Sequence, residues 1–132
     1  MPEKKKILII DDDKFLLDMY SMKFGKSNFE VKTASSGRDV IDLLKNGYNP
    51  DILLMDLIMP VMDGFSICES IKRENLAPGA IIIMLTNQSM VADVSRAQEL
   101  GVAGYIVKAN MIPSEVVQEV SNIYEKHKGK KK

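Results

Sequence analysis

The sequence contains one cysteine, one histidine and no tryptophan. A lone cysteine, Cys68, excludes an internal disulfide and suits a reducing compartment. It reads as a small buried apolar residue. The single histidine, His127, lies in a charged C-terminal stretch, which argues against a histidine metal centre or a histidine-based catalytic triad. Long hydrophobic runs are also missing. "AIIIML" at 80–85 is far too short to cross a bilayer, which takes about 20 apolar residues. The apolar run after the N-terminal lysines is too short for a signal peptide. Net charge is zero, with 18 basic and 18 acidic residues, so the totals favour neither nucleic acid nor an anionic membrane. The expectation is a soluble, cytoplasmic protein.

No linker, low-complexity segment or close repeat interrupts the 132 residues, a length that suits one compact domain. We expect that domain over 1–125, followed by a basic tail at 126–132. Lys4, Lys5 and Lys6, and Lys126, Lys128, Lys130, Lys131 and Lys132, read as solvated ends without a direct nucleic-acid role.

What the chain does have is an alternation. Short aliphatic runs stand at 7–10, 29–33, 52–55, 81–85 and 105–107. Four are nearly continuous, as in strands buried on both faces of a parallel sheet. The run at 29–33 alternates (Phe29 and Val31 against Glu30 and Lys32), as an edge strand does. Between the runs lie helical stripes. They are Leu16, Met19, Tyr20 and Lys23; Val40, Ile41 and Leu44; Gly64, Ile67, Cys68 and Ile71; Met90, Val94 and Ala97; and Val116, Val117, Val120, Ile123 and Tyr124. Gly25, Gly47 and Gly101 are placed to stop helices. Ser36 with Asp39 forms a capping-box pattern. Pro113 suits a first helical position. The class is α/β: a (βα)5 parallel sheet with helices on both faces.

In such sheets ligands bind beyond the carboxyl ends of the strands. Strand one ends in Asp11, Asp12 and Asp13, strand three in Asp56, strand four in Thr86 and strand five in Lys108. Clustered carboxylates repel one another unless a cation joins them. A hard cation such as Mg²⁺ takes one or two carboxylates with waters and phosphate oxygens. One carboxylate can then attack phosphorus. The metal, the ammonium and the hydroxyl would each neutralise a phosphoryl oxygen. Any single aspartate here also reads as a helix N-cap; the joint placement at successive strand ends carries the functional reading.

These motifs resemble the receiver domain of two-component response regulators, the CheY-like family. "ILIIDDD", "LLMDLIMPVMDG", "IIIMLT" and "GYIVK" carry the resemblance, which extends from Ile7 to about Tyr124. It implies a flavodoxin-like strand order, 2-1-3-4-5. Asp56 would be the phosphoacceptor, assisted by Lys108 and Thr86. Asp11, Asp12, Asp56 and the backbone carbonyl of Ile58 would hold Mg²⁺, or Mn²⁺ in its place, with Asp11 acting mainly through water. Thr86 and Tyr105 would form the switch. Ile58, Asn87 and Gln88 would tune access and phosphate lifetime. A histidine kinase or histidine phosphotransfer protein would donate the phosphoryl group. A protein target would read the face built by helix four, strand five and helix five, with the chain a monomer or a phosphorylation-dependent dimer. No chemistry beyond self-phosphotransfer and autodephosphorylation is implied. Asp13 falls past the acidic pair and is expected to cap the first helix.

Two positions depart from the family pattern. Ala109 follows Lys108 where proline after a cis bond is usual, and a cis bond before a non-proline residue costs about 2.5–4 kcal/mol. The Lys108 loop is therefore either trans and rearranged, or strained. Asn87 follows Thr86 where a small residue is usual, and its bulk would slow phosphate exchange. Two other readings compete. A phosphorylation-independent adaptor would suit those departures. A haloacid-dehalogenase-like phosphatase would use Asp11 and Asp13 as its D-x-D motif, but it leaves "MDLIMPVMDG" unexplained.

Overall fold

A computed structural model describes residues 4–130. Five strands, β1 (Lys5–Ile10), β2 (Phe29–Ala34), β3 (Ile52–Met55), β4 (Ile81–Thr86) and β5 (Gly104–Val107), alternate with five helices. These are α1 (Lys14–Lys26), α2 (Gly37–Lys45), α3 (Gly64–Arg73), α4 (Val91–Glu99) and α5 (Pro113–Lys130). All strands pair in parallel, in the order β2-β1-β3-β4-β5. This is the expected doubly wound, flavodoxin-like fold.

Strand pleating divides the core into two layers, because successive side chains point to opposite faces. Leu8, Ile10, Leu53 and Met55 pack with Val40, Ile67 and Cys68 of α2 and α3. Ile7, Ile9, Ile52 and Leu54 pack with Leu17, Phe24, Val116 and Val120 of α1 and α5. The side chains of β1, β3 and β4 are almost wholly buried from Ile7 onward, which is why those runs are continuously apolar.

Four expectations are corrected. The buried stripe of α1 is Leu17, Tyr20 and Phe24, with Leu16 and Met19 half-buried and Lys23 exposed. Phe24 sets that face by meeting Phe29 edge-on, with centroids 5.1 Å apart. Gly25 does not stop α1, which runs through it to Lys26; Asn28 takes the left-handed conformation instead, at φ 72°. Gly47 and Gly101 do sit past helix ends with positive φ. Met90 precedes α4 and is exposed, leaving Ala97 as that helix's one buried residue. β5 is the second edge strand and only Ile106 is fully buried, so its apolar run is half-covered.

Ser36 caps α2 by accepting the Asp39 N–H at 3.2 Å. The basic stretch expected as a tail from 126 is helical as far as Lys130; Lys131 and Lys132 lie outside the described residues. Among the described residues no helix is long and apolar enough to cross a membrane.

Candidate functional site

Strand register brings the acidic residues together. Ile10 of β1 is paired with Met55 of β3, and each strand then releases an aspartate. The Asp56 N–H donates to the Ile10 carbonyl at 2.9 Å, and the Asp11 N–H donates to the Ala34 carbonyl at 3.2 Å. Asp11 is 3% exposed and Asp56 9%, whereas Asp12 and Asp13 are open to solvent. Asp13 caps α1, its Oδ1 accepting the N–H groups of Phe15 and Leu16 at 2.9 and 3.3 Å. Its Oδ1 is engaged on the first turn of α1, and the carboxylates whose oxygens converge are those of Asp11, Asp12 and Asp56, which does not favour a D-x-D phosphatase site built on Asp11 and Asp13.

The loop after β3 is fixed by close backbone approach. Gly64 opens α3 with its N–H on the Leu57 carbonyl at 2.8 Å. A Cβ there would lie 2.9 Å from the Asp56 carbonyl oxygen and 3.0 Å from Leu57 Cα, so the position has no room for a side chain. Asp63 caps α3 by accepting the Ser66 N–H at 2.9 Å. The aspartate and glycine of "MPVMDG" therefore serve the loop's shape, a structural part in the site that sequence reading did not assign; the D-G pair was its visible signal.

Lys108 reaches into the cluster from the far side. It opens a 3₁₀ turn (Lys108–Asn110) just beyond β5. Its Nζ lies 2.7 Å from Asp11 Oδ2 and 3.1 Å from Asp56 Oδ2. Every oxygen of the two buried carboxylates has a donor, since Asp11 Oδ1 accepts the Asp13 N–H at 3.0 Å and Asp56 Oδ1 the Ile58 N–H at 3.3 Å. Burial pushes the Asp11 carboxyl above its ordinary range, although Lys108 and the Asp13 N–H pull it down. Burial alone would lower the Lys108 pKa; its bond to Asp11, the charges of both aspartates and its bond to Asp56 together more than offset this, and it stays raised.

One ammonium among three carboxylates leaves excess negative charge. Asp11, Asp12 and Asp56 each offer an oxygen within 4.8 Å of the others. An all-oxygen donor set with surplus negative charge fits a hard divalent cation such as Mg²⁺. The cation would offset the repulsion that burial makes worse at Asp11.

Asp56 and Lys108 open into a cavity of about 300 Å³, lined also by Ile58, Thr86, Asn87 and Gln88. A larger groove of about 740 Å³ runs between α2 and α3 and touches Asp12 but neither Asp56 nor Lys108. Thr86 is 1% exposed. Its Oγ1 accepts the Gln88 N–H at 3.3 Å, while the Tyr105 hydroxyl donates to the Gln88 carbonyl at 2.6 Å. The backbone of Gln88 is thus held from both sides by the two residues expected to switch. The Lys108–Ala109 bond is trans, as is every peptide bond among the described residues. The trans alternative is the one realised, and the Ala109 N–H donates to Asn87 Oδ1 at 3.0 Å. Sequence reading marked both residues but not this bond between them.

Residues 7–121 match the model of the response regulator receiver domain. A probable transcriptional regulator, ycf27, of Porphyridium aerugineum is 31% identical over 121 residues, covering 92% of this chain and 48% of its own length. The chain spans about half the length, or less, of the curated relatives it matches. Its fold is like that of a CheY-like receiver domain protein from Methanospirillum hungatei, with a TM-score of 0.85 at 23% identity and coverage of 97% and 99% of the two chains. The response regulator DrrB of Thermotoga maritima superposes with a TM-score of 0.79 at 27% identity, over 94% of this chain and 54% of its own.

Proposed function

The chain belongs to the response regulator receiver domain family, and on that premise we propose that it is a phospho-accepting switch whose acceptor is Asp56. The observation that carries this is the Lys108 ammonium lying between Asp11 and Asp56, at the mouth of a cavity that Thr86 also lines.

A phosphohistidine of a histidine kinase or histidine phosphotransfer protein supplies the phosphoryl group. An oxygen of the Asp56 carboxylate attacks phosphorus in line as the phosphorus–nitrogen bond breaks, and the imidazole leaves with the bonding electrons. Mg²⁺, or Mn²⁺ in its place, held by Asp11, Asp12, Asp56 and the Ile58 carbonyl, would neutralise charge on the carboxylates and on the transferring group. Lys108 exchanges its bond to Asp56 Oδ2 for one to a phosphoryl oxygen without leaving Asp11. Hydrolysis of the acyl phosphate by water resets the site, with no further catalytic activity.

Thr86 reads the new dianion. Its hydroxyl oxygen accepts the Gln88 N–H, so turning toward phosphate frees that N–H, and Tyr105, bonded to the carbonyl of the same residue, changes rotamer in response. The phosphoryl group biases two conformations of this linkage, as any ligand must. The α4–β5–α5 face presents the outcome to a protein target, with the domain cytoplasmic and either monomeric or dimerising on phosphorylation. Ile58, Asn87 and Gln88 line the entrance and set the phosphate lifetime.

The deciding experiment is Mg²⁺-dependent labelling by acetyl phosphate or a phosphorylated kinase. Asp56→Asn should keep the fold and lose labelling. Full labelling of that variant would assign the nucleophile elsewhere.

A further inference from the structure

Lys108 stands in a short turn at the edge of the sheet. The 3₁₀ turn it opens is three residues long, follows an edge strand, and presents Ala109 and Asn110 to solvent. Within the turn, the Met111 N–H closes on the Lys108 carbonyl at 3.2 Å. Besides the ammonium's own bonds to Asp11 and Asp56, the backbone of the turn is tied to the loop after β4 by the Ala109 N–H, which donates to Asn87 Oδ1 at 3.0 Å across 22 residues of sequence. Asn87 directly follows Thr86 at the end of β4, and Ala109 directly follows Lys108. The amide oxygen therefore ties the loop after β4 to the residue adjoining the lysine. A proline at 109 would have no N–H to give. Alanine has one, and Asn87 accepts it.

We propose that Asn87 is a positioning residue for Lys108: its amide oxygen latches the lysine-bearing turn to the end of β4, so that the switch hydroxyl and the cationic partner of Asp56 share one rigid connection. This rests on the reading of Asp56 as phosphoacceptor. Asn87 also lines the cavity over Asp56, so an aspartate there would accept the same N–H but bring negative charge to the entrance of an anion site. An amide provides the acceptor without the charge.

The test is a double-mutant cycle of Asn87→Ala and Ala109→Pro, with Asn87→Asp added. Two quantities are followed in the folded, Mg²⁺-loaded protein: the Lys108 side-chain Cε resonance, and the initial rate of labelling by acetyl phosphate. With alanine at 109, Asn87→Ala should shift the Lys108 resonance, and its effect on labelling should be roughly threefold less favourable than that of the same substitution with proline at 109, as loss of one exposed neutral hydrogen bond would do. Relief of the Asn87 bulk is common to both backgrounds and cancels. With proline at 109 the substitution should leave the Lys108 resonance unmoved. Asn87→Asp should keep the Lys108 resonance near its original position while labelling slows. An equal effect of Asn87→Ala in both backgrounds, or an unmoved Lys108 resonance, overturns the latch. Should Ala109→Pro not fold, identical Lys108 resonances in Asn87→Ala and Asn87→Asp overturn it alone. Labelling of Asp56→Asn at the full rate instead overturns the phosphoacceptor reading, and the resonance comparison stands apart from it.

Discussion

Lys108 lies closer to Asp11, at 2.7 Å, than to Asp56, at 3.1 Å. The shorter bond goes to the more buried carboxylate, whose ionisation burial opposes. Lys108 is thus bound most closely to Asp11, and shares its charge with the proposed phosphoacceptor.

Removing that ammonium should expose the repulsion it now balances. Lys108→Met leaves Asp11 and Asp56 facing each other in a nearly dry site. Breaking a buried pair from one side costs about 3–5 kcal/mol, and the lower end applies because both side chains retain some exposure. Urea unfolding in the presence of a chelator should show this loss. Excess Mg²⁺ should restore more stability to the variant than it adds to the unsubstituted protein, since the cation substitutes for the missing charge. Equal Mg²⁺ increments in the two proteins would count against a shared charge site.

Gly64→Ala tests the close approach behind Asp56. The added Cβ meets backbone atoms at 2.9 and 3.0 Å, and backbone cannot rotate away as a side-chain tip can. A destabilisation of about 1–3 kcal/mol follows from overpacking, together with slower labelling as Asp56 is displaced. Gly79→Ala is the control, because a Cβ there meets nothing within 4 Å. Comparable losses from both substitutions would refute the steric account.

Val61 is a second point of strain. It has φ 69° and is fully exposed, and the Met62 N–H reaches across it to the Pro60 carbonyl at 2.7 Å. A β-branched residue pays for this left-handed conformation with about 1–3 kcal/mol. The hydrogen bond across one residue makes this a γ-turn, which glycine adopts without a Cβ penalty. Val61→Gly should raise the denaturant midpoint by the equivalent of about 1 kcal/mol, with unchanged Mg²⁺ affinity. A lower midpoint would mean that the side chain holds the loop in a way its exposure hides.

Alkaline instability should centre on Cys68. Burial raises its thiol from 9.0 to about 12, and burial likewise raises the Tyr48 hydroxyl to about 12. The unfolded thiol ionises first, so the unfolded state loses protons that the folded state keeps. Stability is complete below about pH 9 and falls as the pH rises from there through about 12. Cys68→Ala should flatten the pH dependence without abolishing it, because Tyr48 remains. In the folded protein at neutral pH, Cys68 should resist iodoacetamide until denaturant is added.

The strand ends were legible because burial on both faces forces continuous apolar runs, and a polar residue closing such a run marks its edge. Asp56, Thr86 and Lys108 are found that way without knowledge of strand order. The face of α1 was harder. Leu16 and Leu17 are adjacent apolar residues, and two stripes fit until the contact between Phe24 and Phe29 chooses one. Gly25 misled for a related reason: glycine permits a helix stop but does not compel it, and Asn28 took the left-handed turn. The partly covered β5 depends on strand order, which its own residues do not encode. The Asn87–Ala109 bond joins loops 22 residues apart, and no periodicity carries that distance.

The three consecutive aspartates also fix a phase. β1 repeats every two residues and α1 every 3.6, and the joint between them is Asp11 to Asp13. Inserting one residue there would turn α1 by about 100° against the sheet. Leu17, Tyr20 and Phe24 would swing off the core while Asp13 lost its hold on the first turn. A different capping residue at 13 would leave that alignment intact. Substitution is therefore tolerable at position 13, and a change of length in the joint is not.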